Sequence, residues 1–223
     1  MRKNSGLPSG RKAQALRNDQ AILDAAREVF MRDPEAPISA VAQAAGVGIS
    51  ALYRRYAGKE ELLQTLCADG LHRYLEIAES ALRDRTDPWE SFADFIRGII
   101  DADVHSLTVH LAGTFTPTEE LRRLAEEANR LAARLLRRAK AAGVIRPDLH
   151  LNDLAMLLEQ VTAVRLGDET RTRALRQRYL VMHLDALRRR DDLTRLPGRP
   201  PSSEELGRRW VPRTTVASRP DTP

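Results

Sequence analysis

One stretch constrains this chain more than any other: Pro37 to Lys59, PISAVAQAAGVGISALYRRYAGK. Ile38, Val41, Ala42 and Ala45 recur at helical spacing on one face, so a short amphipathic helix is expected there. Pro37 fits its first position, where a missing N–H costs nothing. Gly46 follows directly and suits the left-handed residue that ends a helix. A second short helix is expected over 49–56, with Leu52 and Tyr56 four apart and facing inward. Ala42 stands where crossing helices come closest, so a small side chain is needed; Val47 and Leu52 fill the angle between them. This pattern is a helix-turn-helix, whose second helix enters the major groove of DNA.

The flanking residues extend the pattern. Ile22-Leu23, Ala25-Ala26, Val29-Phe30, Val41-Ala42, Ala45-Gly46-Val47-Gly48, Leu52-Tyr53-Arg54-Arg55-Tyr56, Lys59-Glu60 and Leu62-Leu63 together resemble the TetR family of transcriptional regulators over about residues 18–63. The remaining two-thirds resembles that family only in being helical and of suitable length. By this resemblance Tyr53, Arg55 and Lys59 grip the DNA backbone, Gly48, Ser50, Ala51 and Arg54 lie at the groove, and Arg17 sits beside the backbone. Side-chain chemistry agrees: Arg54 suits a guanine edge or a phosphate, and Tyr53 a phosphate or a thymine methyl. Arg55 and Lys59 suit phosphates. The chain departs from the common pattern where hydroxyls are usual. Ala36-Pro37 replaces a threonine, leaving Ser39 as the nearby hydroxyl. Gly48 replaces a serine, which forgoes a side-chain cap worth about 1 kcal/mol. Ala51 replaces a threonine, and Tyr56 a phenylalanine.

Charge follows the same division. Of a net charge of +5, residues 1–58 hold nine Lys/Arg against five Asp/Glu, whereas residues 59–190 hold 21 of each. A basic N-terminal third is what phosphate binding requires, although basic tails are also common as solvated arms. The single cysteine, Cys67, forms no internal disulfide and no zinc cluster, and its place in an apolar helical stripe makes it a packing residue. No apolar run approaches the roughly 18 residues that span a bilayer, and the N-terminus lacks the apolar core of a secretion signal, so a cytoplasmic protein without membrane contact is expected. No phosphate-binding loop, G-x-S-x-G or zinc-ligand spacing occurs, so neither an enzyme with catalytic residues nor a cofactor is expected. Asp101, His105 and His110 are a poor metal set, because the two histidines are five apart and share no helix face; no metal is expected.

An all-α fold is expected. Residues 1–14 form a disordered basic arm, 15–75 the helix-turn-helix DNA-binding domain, 76–190 a helical ligand-binding and dimerisation domain, and 191–223 a mostly disordered, proline-rich tail. The first helix is expected over 18–32, capped by Asn18 or Asp19. A long helix over 59–83 joins the domains. Asp87-Pro88 opens the next, a capping residue before proline. Further helices are expected over about 105–113, 118–142, 152–165 and 169–190.

The resemblance implies a small-molecule effector bound in the second domain, a homodimer, and a double-stranded, palindromic operator. Pocket candidates are Trp89, Phe92, Phe95, His105, His110, Phe115, Met156 and Glu159; the apolar ones serve equally as plain core. Dimer candidates on the last two long helices are Leu154, Leu158, Val161, Tyr179, Leu180, His183 and Leu187, whose apolar excess agrees equally with a monomeric core. A repressor released by its effector is the reading these expectations support. The rivals are an enzyme and an architectural module with a vestigial helix-turn-helix.

Overall fold

A computed structural model of the chain describes residues 10–83 and 87–211. Ten α-helices and no strand occur among the described residues. The chain divides into two compact units after Leu66. That boundary lies nine residues before the expected one, because the residues beyond Leu66 pack with later helices: the Tyr74 ring meets Phe95 edge-on at 5.5 Å, and Ala78 and Ala81 join the second unit's core.

The first unit holds α1 (Gly10–Arg32), α2 (Ile38–Ala44), α3 (Ile49–Tyr53) and the start of α4 (Lys59–Arg83). Helix α1 begins eight residues before Asn18, so Asn18 and Asp19 lie inside it rather than at its start. Ile22, Ala25, Ala26, Val29 and Phe30 are buried as their spacing predicts, with Val41, Ala42, Leu52 and Tyr56. Pro37 is the N-cap of α2 rather than its first residue; its extended ψ of 153° precedes the helix. The turn closes as a Schellman motif: Gly46 takes φ +65°, its N–H donates to the Gln43 carbonyl at 3.2 Å, and the Val47 N–H donates to Ala42 at 3.0 Å. Helix α3 ends at Tyr53, three residues short of expectation, since Arg55 and Tyr56 both donate their N–H groups back to the Leu52 carbonyl.

The second unit takes the rest of α4, then α5 (Pro88–Asp101), α6 (Val104–Leu111), α7 (Glu119–Ala141), α8 (Leu151–Thr162), α9 (Glu169–Leu187) and α10 (Ser203–Gly207), the last followed by a 3-10 turn at Arg208–Trp210. Local chemistry fixes several starts. Asp87 accepts the Trp89 and Glu90 amides at 2.8 and 3.1 Å with Pro88 at the first helical position, as predicted; Thr118 caps α7 and Asp168 caps α9. Trp89, Phe92, Phe95, Ile96, Ile99 and Ile100 of α5 are the centre of the core, joined by Leu131, Leu135, Leu154, Leu158, Val161, Leu180, Leu184 and Leu187. At Gly98 of α5 an added Cβ would stand 2.8 Å from the Ile77 side chain of α4, so these helices meet backbone to side chain.

Two arginines tie the ends. Arg138 of α7 donates to the Ala81 and Leu82 carbonyls at the end of α4, at 2.9 and 3.2 Å. Arg176 of α9 is 6% exposed and donates to Thr162 and Val164 at the end of α8, at 2.7 and 3.1 Å, and to the Asp103 carboxylate at 2.8 Å. Its charge thus meets a helix C-terminus and an acid, the two surroundings that stabilise a buried cation.

Candidate nucleic-acid interface and internal cavity

The first unit sorts the side chains of α3 by face. Leu52 is fully buried and Tyr56 is 6% exposed, whereas Tyr53 is 52% and Ile49 39% exposed. Gly48, Ser50, Arg54 and Ser39 are exposed or nearly so, and Ala51 is half-buried. Ile49 and Tyr53 of α3, and Arg54 at its C-cap, are therefore exposed while Leu52 is consumed by packing. Gly48 caps α3 with no side-chain bond. Arg17 falls where side chains lie outside the described residues.

The cations differ in what they are free to do. Arg54 pairs with no acid among the described residues. Arg55 forms an ion pair with Asp19 of α1. Lys59 stands 3.7 Å from the Glu35 carboxylate and 5.6 Å from the centre of the Phe30 ring. At the start of α4, Glu61 accepts the Ala57 amide at 2.6 Å, which fixes the chain entering that helix.

The second unit holds a half-open cavity of about 580 Å³, within the usual range for small-molecule sites. Leu71, Tyr74, Phe95, Phe115, Leu121 and Leu158 are among its walls. A smaller lobe of about 130 Å³ lies beside Met156, Glu159 and Arg209, and His105, Ala155, Leu206 and Trp210 border both. Of the pocket candidates, Phe95, His105 and Phe115 line the main cavity, and His105, Met156 and Glu159 the lobe. Trp89 and Phe92 do not: they are core, with the Arg188 guanidinium 4.1 Å from the centre of the Trp89 ring. His110 is exposed and lines neither space. Cys67 is buried at the cavity wall, and burial pushes its thiol up to about 12. Burial also pushes the His105 ring below its ordinary range, so it is neutral at pH 7.

The tail supplies one wall. Residues 191–211 are not the featureless segment their prolines suggest. Arg146 forks onto Asp148 at 2.7 and 3.1 Å and donates to the Thr194 carbonyl at 2.7 Å, while Asp148 accepts the Leu196 amide at 2.8 Å. Asn152 donates to Pro201 at 2.7 Å, Arg209 pairs with Glu159 at 2.6 Å, and the Trp210 ring meets Phe115 edge-on at 6.0 Å. Gly113, at φ +80°, lets the tail backbone pass: an added Cβ would stand 3.1 Å from the Arg209 carbonyl. Ser203, Leu206, Gly207, Trp210 and Val211 thereby face the cavity. A signal was present in the sequence: Ser202 and Glu205 form a capping box, with bonds of 2.6 and 3.1 Å.

The dimer candidates divide in the same way. Leu154, Leu158, Val161, Leu180 and Leu187 are 5% exposed or less, so the chain's own core takes them. Tyr179 is 39% exposed, and His183 bonds the Tyr179 carbonyl at 2.8 Å and Gln160 at 3.4 Å. The outer face of α9 instead presents Val181 and Met182, 57% and 62% exposed. Among the described residues no group of three or more metal-binding side chains gathers, and no helix is long and apolar enough to cross a membrane.

Comparisons with known proteins converge. Residues 22–66 match the bacterial regulatory proteins of the tetR family, and residues 87–189 match the C-terminal domain of SbtR-like transcriptional regulators. The TetR transcriptional regulator SCO0520 from Streptomyces coelicolor is 27% identical with a TM-score of 0.54, covering 76% of this chain and 97% of its own. The fold also matches the ketosteroid transcriptional regulator KstR2 of Mycobacterium tuberculosis (18% identity, TM-score 0.59, 85% and 100% covered). It matches the TetR-like regulator LfrR from Mycobacterium smegmatis, solved in complex with proflavine, at 20% identity and a TM-score of 0.56, with 75% and 96% covered. No curated protein matches the sequence significantly. With a helix-turn-helix unit matching over 22–66 and a helical second unit matching over 87–189, the chain belongs to the TetR family of transcriptional regulators.

Proposed function

We propose that the protein is a homodimeric repressor that reads a palindromic operator through α3 and releases it when a small molecule occupies the cavity of the second unit. The observation that carries this reading is the exposure of Ile49, Tyr53 and Arg54 on one short helix and its C-cap, where the neighbouring Leu52 is fully buried. Arg54 offers two parallel donors to a guanine edge, and Tyr53 covers a thymine methyl or meets a phosphate. Gly48, Ser50 and Ala51 lie closest to the bases, and Arg17, Ser39, Arg55 and Lys59 meet the backbone. Since Arg55 and Lys59 already have acidic partners, they contribute less per charge than Arg54.

Effector release follows from geometry. Two recognition helices must fit half-sites about 34–36 Å apart, so a small change in their separation disfavours DNA. LfrR, whose fold this chain shares, was solved with proflavine, which supports a ligand-responsive reading. The dimer forms on the outer face of α9, through Tyr179, Val181, Met182 and His183.

Fluorescence anisotropy with the intergenic DNA beside the protein's own gene tests this. Affinity is expected to fall at least about tenfold between roughly 50 and 200 mM salt and to exceed that for random DNA by about a thousandfold or more. Equal binding of random DNA, or no salt dependence, refutes the regulator reading.

A further inference from the structure

Gly70 and Gly98 both stand inside helices, where glycine is less stable than alanine because its backbone loses more freedom. At Gly98 of α5 close packing accounts for the glycine, since an added Cβ would stand 2.8 Å from the Ile77 side chain. At Gly70 of α4 it does not. Beyond its chain neighbours and the backbone of its own helix, an added Cβ there would meet nothing within 4 Å. Gly70 is nevertheless buried, and it borders the cavity. Cys67, Leu71 and Tyr74 border it too, and with Gly70 they follow the spacing of one helix face. The room left by the missing side chain therefore belongs to the cavity.

The other walls indicate what fits that room. Leu71, Phe95, Phe115, Leu158 and Trp210 offer apolar and aromatic surface. At neutral pH the Cys67, Tyr74 and His105 side chains are uncharged, because burial raises the thiol and the phenol and lowers the imidazole. The charges nearby are committed. Arg122, at the cavity wall, bonds Glu119 and the Pro117 carbonyl, both at 3.0 Å. Glu159 and Arg209, at the smaller lobe, hold each other at 2.6 Å. A charged guest would give up hydration and meet no unengaged counter-ion among these groups.

Resting on the reading of this cavity as the effector site, we infer that Gly70 is its specificity-determining residue: the cavity takes an uncharged, largely apolar, ring-bearing molecule, part of which lies against the bare backbone of α4 at Gly70. A side chain at that position takes the guest's place. Large guests are then excluded, while smaller ones still fit in what remains.

Three probes test this on the full chain at neutral pH. Nile red, large and uncharged, is followed by its fluorescence. The smaller 2-methoxynaphthalene and 2-naphthoate, alike in shape but uncharged and anionic, are followed by isothermal titration. The wild type is expected to bind Nile red, and to bind 2-methoxynaphthalene about tenfold or more tightly than 2-naphthoate. Gly70→Leu should weaken Nile red by about tenfold or more, the usual consequence of overfilling a packed site. It should retain 2-methoxynaphthalene, which shows that the cavity is still folded. Where Gly70→Leu does not fold, Gly70→Ala decides: Tm should rise by about 2–4 °C, as alanine replaces glycine in a helix, while Nile red binds severalfold more weakly. Misfolding cannot move stability and binding in opposite directions, and a glycine kept only to bend α4 would leave Nile red binding unchanged. Unchanged Nile red binding in the variants, or equal loss of both uncharged probes in Gly70→Leu with unchanged melting, overturns the role of Gly70. Binding of 2-naphthoate as tight as that of 2-methoxynaphthalene overturns the ligand class. Each of these leaves the cavity an effector site. Failure of all three probes to bind the wild type overturns the effector reading itself.

Discussion

Arg55, just beyond α3, is ion-paired with Asp19 of α1, so the segment after α3 is tied by charge to the first helix of the same unit. Asp19 is the more buried of the two, its side chain 20% exposed against 43% for Arg55, and its Oδ1 is buried with no hydrogen-bond partner among the described residues. The pair holds α3 in register with α1 while withholding part of one positive charge from any DNA.

Asp19→Asn is therefore expected to release Arg55 toward phosphate. Affinity for non-operator DNA should rise severalfold, and the magnitude of the slope of log affinity against log salt should increase by about one. Thermal unfolding should show a loss on the order of 1 kcal/mol from the broken, half-exposed pair. Anisotropy titrations at several salt concentrations check this; an unchanged slope means that Arg55 already spends its charge on DNA.

The outer face of α9 tests the dimer. Val181 and Met182 are exposed apolar residues on a helix whose inner face is closed by Leu180 and Leu184. Met182→Arg should shift the protein to monomer in sedimentation velocity without changing its helical content, and should weaken operator binding by more than about tenfold through loss of the second half-site. Leu180→Arg, by contrast, should unfold the second unit, since that side chain is fully buried.

Legibility in the sequence divides along physical lines. The helix-turn-helix is legible because its constraints are local: a glycine at positive φ, a small residue at the crossing, and apolar residues at fixed spacing. Asp87-Pro88 and the Cys67 stripe are legible for the same reason. Partners distant in sequence are not. Apolar spacing shows that Leu154, Leu158 and Leu180 face inward but not whether the interior is shared by two chains, and here one chain fills it. Arg176 shows no local signal, because its three partners lie on other segments. The tail's six prolines suggest disorder, whereas Arg146, Asp148 and Asn152 supply partners that only the fold brings near.

That tail supplies one wall of the cavity, and Trp210 is its largest side chain there. Trp210→Ala should remove the ring contact with Phe115 and open the wall. Stopped-flow binding of an uncharged apolar dye such as Nile red should show severalfold faster association and dissociation, with unchanged helical content by circular dichroism. Identical rates mean that guests enter elsewhere.

The tail's anchor gives a signed pH prediction. The Arg146 guanidinium beside Asp148, with the Leu196 amide, holds the Asp148 carboxyl well below the usual carboxylate range. A carboxyl depressed in the folded state stabilises fully above its unfolded value, about 3.9, and loses that contribution as pH falls from there toward the folded value. Asp148→Asn should lower Tm at neutral pH, and the gap from the wild type should narrow progressively below about pH 4. A gap independent of pH means that the carboxylate charge contributes nothing.

Whether α3 of a dimer reads a defined sequence, with Arg54 as its guanidinium donor, is tested most directly by selection from a random duplex library with the wild type and with Arg54→Ala. The expected outcome is a palindrome with half-sites about 34–36 Å apart, and, in the variant, lost preference at one position in each half-site with a cost of about 1–3 kcal/mol. Enrichment of no sequence by the wild type, or a uniform loss over all positions in Arg54→Ala, contradicts it.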